Sequence, residues 1–156
     1  MYQPVLFVSS YTDLMELAER YITDTQPSME SPAEVARYMR VLLHDSRQEE
    51  FHVLLVNTKN QLIGVKRVTI GLVDRSQVHA REVFFSAIES NASRVILCHN
   101  HPSGDPTPSA QDISCTKSLV SAGKIIGIEV LDHVIIGKKT RNRPRDYLSM
   151  REENLI

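Results

Sequence analysis

Cysteine is scarce in this chain. Only Cys98 and Cys115 are present, and no CxxC pair occurs. A disulfide framework is therefore excluded as the organising device, and both sulfurs lie in apolar or helical stretches. We read them as reduced thiols of an intracellular protein. Long apolar runs are lacking too: none approaches the 18 residues of a membrane span, and no basic-then-apolar leader opens the chain. A membrane protein is not expected, and the location is read as cytoplasmic. Nor is one sign of charge in excess. Eighteen basic residues face 19 acidic ones, a net charge of −1, so global charge gives no push toward nucleic acid or acidic membrane. Internal repeats and linkers are also missing. What remains is 156 residues, 42% of them hydrophobic, which suits one domain with a real core.

Residues 12–22, TDLMELAERYI, carry apolar side chains at helical spacing. Ser31-Pro32-Ala33-Glu34 is a helix start: serine as cap, proline at the first position, glutamate closing a capping box. FHVLLV, NTKN and QLIGVKRVTIG read as strand, turn and strand, a hairpin. AREVFFSAIESN reads as a helix with Val83, Phe84, Ala87 and Ile88 inward. RVILC is short and apolar enough to be a central strand. A helix is expected from Ser109 to Ala122, ended by Gly123. IEVLDHVIIG follows as a strand, or two joined at Asp132. The order α-α-β-β-α-β-α-β predicts an α/β fold, a mixed central sheet flanked by helices. We expect an N-terminal extension with a helix over 1–30 and one domain over 31–156.

The chemistry concentrates in HNHPSGDPTPSAQD, residues 99–112. Strand alternation turns His99 and His101 to one face and Cys98 and Asn100 to the other. Pro102 stops the strand, and Gly104 permits a turn. Two imidazoles plus the Asp112 carboxylate and a water would make a four-coordinate zinc site. The competing reading needs no metal. Ser109 and Asp112 also fit the cap and third position of a helix start, and the histidines could be hydrogen-bonded loop residues. Spacing leaves the two open.

With VHARE at 78–82, HNHPSGDPTPS at 99–109, LDHVIIG at 131–137 and NTKNQ at 57–61, the chain resembles the RadC-like branch of the JAMM, or MPN, metalloprotease superfamily. The resemblance covers roughly residues 31–156. The superfamily pattern, His-x-His, seven residues, Ser, two residues, Asp, falls on His99, His101, Ser109 and Asp112. A helix-hairpin-helix segment is not recognisable. The resemblance implies a cytidine-deaminase-like fold. It also implies Zn²⁺ held by His99, His101 and Asp112, with Ser109 helping to stabilise an oxyanion. In the superfamily the reaction is hydrolysis of peptide or isopeptide bonds. The branch also carries an old association with DNA repair.

JAMM enzymes use an upstream glutamate as general base. Sought on the second hairpin strand, aligned on Asn60 and Gly71, its place falls on Lys66. A lysine is a proton donor at neutral pH, so an intact metal site with impaired catalysis is expected. Glu82 and His79 are weaker candidates to substitute. Asp132 and His133 read as a hydrogen-bonded bend, or else as support behind a metal ligand. Five basic residues between 138 and 145 could contact nucleic acid or form a solvated loop. Three functions follow: a zinc hydrolase acting on a protein or peptide, a degenerate scaffold that binds a protein, and a DNA-associated factor. Whether the chain is an enzyme is left open by Lys66, and so is oligomerisation.

Overall fold

The computed structural model describes residues 26–71 and 78–156, together with Met15. The helix expected over 12–22 falls outside these residues apart from Met15, as does most of the connection after Gly71.

Helix α1, Pro32–Leu42, begins at the predicted capping box: Ser31 accepts from the Glu34 N–H, and the Glu34 carboxylate accepts from the Ser31 N–H. Its buried face is Val35, Ala36 and Met39. Strands β1, Glu50–Val56, and β2, Leu62–Ile70, form the expected antiparallel hairpin. Asn57 ties its turn by accepting from the Lys59 and Gln61 N–H groups. Helix α2 is Ala80–Glu89 and strand β3 is Arg94–Asn100. Helix α3, Ala110–Ile126, crosses to β4, Glu129–Ile136, which runs parallel to β3. A short β5, Tyr147–Ser149, closes the sheet in the order β2-β1-β3-β4-β5. RVILC is central, as its composition predicts.

Strand alternation divides the core. Leu54, Val56, Ile96 and Cys98 face α1 with Val35 and Met39. Phe51, Val53, Leu55, Val95 and Leu97 face α2 and α3 with Val83, Phe84 and Leu119. Each fully buried side chain of this kind contributes about 1.5–3 kcal/mol through removal of apolar area from water. Two boundaries differ from expectation. Ile88 is 62% exposed rather than inward. Helix α3 continues past Gly123 to a left-handed cap at Gly127. Gly123 serves instead as a close approach, since a Cβ there would strike the Ile128 carbonyl and the Phe84 ring.

Strand β4 carries an extra residue. Val95 pairs with Val130 but Leu97 pairs with His133, so two residues of β3 face three of β4. Such a bulge reverses the alternation beyond it. Val130 faces α3, while Val134 and Ile136 face α1. His133 is thereby turned toward α3. The Val130 and Leu131 carbonyls at the bulge accept from the Arg151 guanidinium, and Asp132 accepts from the His133 and Arg151 N–H groups and the Ser149 hydroxyl. The joint expected at Asp132 is this bulge.

Candidate metal centre

The C-terminal end of β3 meets three other pieces of chain. His99 ends the buried face of the strand, 1% exposed, stacked on Phe51 of β1 with ring planes 9° apart. His101 lies one step beyond. Its Nδ1 is 2.7 Å from the Asp105 carbonyl oxygen. A carbonyl only accepts, so Nδ1 carries a proton, and Nε2 is the atom turned toward His99 and Asp112. The loop that supplies this carbonyl is itself held. The Gly104 N–H donates to the His101 carbonyl, the Lys138 N–H donates to the Gly104 carbonyl, and Arg143 donates to the same carbonyl. Gly137 makes the approach possible, since any Cβ there would run into the Gly104 carbonyl oxygen.

Asp112 enters from the first turn of α3. Ser109 is its cap: the Ser109 N–H and hydroxyl both donate to Asp112 Oδ2 at 2.7 Å, and the Asp112 N–H donates back to Ser109 Oγ. The helix-start reading of these two residues is correct, and it is compatible with the other. The capped carboxylate is aimed at the histidines, 3.6 Å from Nε2 of each. Burial pushes the Asp112 pKa up. Hydrogen bonds from His101 and Ser109 and the charge of His99 outweigh it and hold the carboxyl well below its usual range. For His101, burial pulls the pKa down, but bonding to Asp112 and to the Asp105 carbonyl, with the charges of Asp112 and Glu49, raises it overall.

The fourth member is Glu49. One ligand atom each from Glu49, His99, His101 and Asp112 falls within 4.8 Å of the others. This corrects the expectation at Lys66. The antiparallel register sets Phe51 opposite His99, and continued outward it sets Glu49 opposite His101. Lys66 lies on the far side of β1, paired with Val53 and exposed, two strand spacings from β3, roughly 9–10 Å. The carboxylate comes from the segment entering the first hairpin strand, not from the second. Asn100, on the opposite face from the histidines, clamps that segment. Its Oδ1 accepts from the Glu50 N–H at 2.8 Å, and its Nδ2 donates to the Gln48 carbonyl at 2.9 Å. Glu49 is thus gripped through the backbone on both sides.

The donor set fits a divalent cation. Donors 2.0–2.1 Å from a tetrahedral ion stand roughly 3.3 Å apart. The two Nε2 atoms are 2.9 Å apart, and each is 3.6 Å from an Asp112 oxygen. Two carboxylates and two imidazoles on partly buried backbone supply the charge and the lone pairs.

Glu82 and His79 are elsewhere. Glu82 lies 3.8 Å from Arg81 and lines a surface hollow with Arg67 and Phe85. His79 lines a cleft of about 390 Å³ with Gln111, Ser114 and Cys115. His133 stands directly behind His99, buried, and burial pushes its pKa down to about 3, so the ring is neutral. Asp132 forms the hydrogen-bonded bend, and His133 makes its contact with His99. Burial pushes both cysteine thiols up, away from reactivity. Of the basic run, Arg143 is committed to Gly104 and Asp105 and Arg145 to Glu152 and Tyr147, while Lys138, Lys139 and Arg141 are exposed.

A mixed sheet flanked by helices, with a Glu-His-His-Asp cluster at the end of a central strand, has the architecture of the MPN-type domains. The comparison with known families makes this specific. A model of the RadC-like JAB domain matches residues 29–155, and the chain belongs to that family. It is 48% identical over 126 residues to a UPF0758 protein of Caldanaerobacter subterraneus subsp. tengcongensis, covering 79% of this chain and 54% of that one. It is 44% identical over 128 residues to a UPF0758 protein of Alkaliphilus metalliredigens, covering 82% and 53%. With one of Clostridium novyi it shares 41% over 144 residues, covering 90% and 60%. The chain thus spans about half the length of the curated relatives it matches. Among the described residues no helix is long and apolar enough to cross a membrane.

Proposed function

We propose that this domain is a zinc-dependent hydrolase of peptide or isopeptide bonds. The observation that carries the reading is Glu49 standing with His99, His101 and Asp112 in one cluster. In this reading His99, His101 and Asp112 are the metal ligands. Zinc, when bound there, supplies a Lewis acid that polarises a carbonyl and makes water acidic near neutral pH. Glu49 is the general base: its carboxylate takes a proton from the attacking water and returns it to the departing amine. Asn100 holds that carboxylate at the mouth of the site by fixing the backbone on either side. Ser109 fixes Asp112, and its hydroxyl is the donor offered to an oxyanion when it exchanges Asp112 for substrate. The feature that favoured a degenerate scaffold, a lysine in place of the base, is absent.

The test combines metal analysis with a panel of peptides and isopeptide-linked conjugates. One zinc per chain and chelator-sensitive cleavage are expected. A zinc-loaded chain that cleaves nothing in the panel would count against the hydrolase, and a chain that takes up no zinc would reject the metal centre.

A further inference from the structure

Behind His99 runs a chain of three short contacts. His99 Nδ1 lies 2.7 Å from His133 Nε2. His133 Nδ1 lies 2.6 Å from Thr116 Oγ1. Thr116 Oγ1 lies 2.6 Å from the carbonyl oxygen of Asp112, one helical turn earlier. None of His99, His133 and Thr116 is more than 1% exposed, so these contacts are made within the protein interior. Four polar atoms in a row must share their protons among themselves.

Only two neutral arrangements thread this chain. In the first, Thr116 donates to the Asp112 carbonyl, His133 donates from Nδ1 to Thr116, and His99 donates from Nδ1 to His133. His99 Nε2 is then an acceptor, 2.9 Å from His101 Nε2 and 3.6 Å from Asp112 Oδ1. In the second, Thr116 donates to His133 and every proton shifts, leaving a proton on His99 Nε2. That arrangement sets a threonine lone pair against a carbonyl lone pair at 2.6 Å with no hydrogen between them. A carbonyl oxygen accepts only, and a threonine hydroxyl has one proton. A helical threonine ordinarily gives it to the carbonyl four residues back. The first arrangement satisfies every contact of this row and leaves His99 Nε2, 2.9 Å from His101 Nε2, as the acceptor at the cluster end.

We propose that Thr116, acting through His133, sets His99 in the Nδ1-protonated tautomer and so turns its Nε2 lone pair toward Glu49, His101 and Asp112. Thr116 and His133 are positioning residues of the centre. The proposal rests on the metal reading above and adds which residues prepare the ligand before any ion arrives. It also ties two ligands together, because the chain that orients His99 ends on the backbone of Asp112. The orienting partner is a second imidazole, which can accept at one nitrogen only by being protonated at the other. One hydroxyl therefore decides the state of two rings.

The test uses the full chain, ¹⁵N-labelled and freed of metal by chelation at neutral pH. Long-range ¹H–¹⁵N spectra of the imidazoles report which nitrogen carries each proton, and a chromophoric chelator in competition reports zinc affinity. In the wild-type chain both His99 and His133 are expected to be protonated at Nδ1. Thr116→Val, which keeps shape and removes the hydroxyl, should give mixed tautomers in both rings and weaken zinc about 10–100-fold. Thr116→Ser should restore both readings. If the valine variant does not fold, the wild-type tautomers and the serine variant decide. A wild-type His99 protonated at Nε2 overturns the proposal. So does a folded valine variant with unchanged tautomers and affinity while the wild type binds zinc tightly, which leaves the metal reading standing. A wild-type chain that binds no zinc removes the metal reading and the positioning role together.

Discussion

The two sides of the centre are held in different ways. On the β3 and α3 side, His99 and Asp112 are 1% and 6% exposed, and side-chain hydrogen bonds hold His99 to His133 and Asp112 to Ser109. On the β1 side, Glu49 stands just ahead of the strand, half-buried, and is placed by the Asn100 clamp on the backbone of its neighbours. The difference matches the work assigned to each side. Ligands that hold an ion gain from rigid, buried placement. A group that takes and releases a proton needs a fixed backbone and a carboxylate within reach of solvent.

If the sides are separable, variants should divide them. The largest effect is expected from Asp112→Ala, which leaves two facing imidazoles and no carboxylate from α3. Zinc binding should be lost, and with it the concentration-dependent rise in melting temperature expected of the wild type with zinc; a calorimetric titration checks both. Glu49→Gln comes next. It should lower the hydrolysis rate about 10²–10⁴-fold while zinc stoichiometry stays at the wild-type value, and loss of zinc in this variant would merge the two sides into one. Asn100→Ala should lower kcat about tenfold, order of magnitude, through a loosened Glu49 backbone, with zinc affinity unchanged.

Acid should act through buried histidines on both sides, His52 on β1 and His133 on β4. Burial lowers the pKa of His52 below its usual value, against the raising effect of Glu50, whose Oε2 lies 3.0 Å from His52 Nε2. The unfolded chain then binds a proton at a pH where the folded chain resists it, so stability falls as pH drops from about 6.5 toward the lower folded value. Urea midpoints of the metal-free chain across that window should show the loss, and His52→Gln should reduce it without abolishing it, since buried His133, its pKa pushed down to about 3, adds to the same slope. The smallest effect belongs to Lys66→Glu: an exposed position on β2 should change activity less than about twofold, since surface substitutions away from special features are nearly neutral.

The same division explains what could be read from residues alone. The capping box at Ser31, the hairpin, the central strand RVILC and the pattern in HNHPSGDPTPSAQD are local, each written in one continuous stretch of chain. Glu49 is not local to anything. It joins the centre only because β1 lies between β2 and β3 with Phe51 opposite His99, and register between distant strands leaves no mark in either one. The clue available was a glutamate pair directly before an apolar strand. The role of Thr116 was hidden for the same reason: inside α3 it looks like any β-branched residue, and its partner arrives with β4.

The bulge in β4 has a consequence for anyone wishing to move this centre. The placing of His133 behind His99 depends on a parity, not on a residue type. With residue-for-residue pairing after Val130, Leu97 would meet Asp132, His133 would turn to the α1 side, and a carboxylate would stand behind His99 where an imidazole now stands. A transplant of the Glu-His-His-Asp set onto another sheet must therefore carry one odd residue and the arginine that covers its two loosened carbonyls, or the copied ligands will stand in front of the wrong wall.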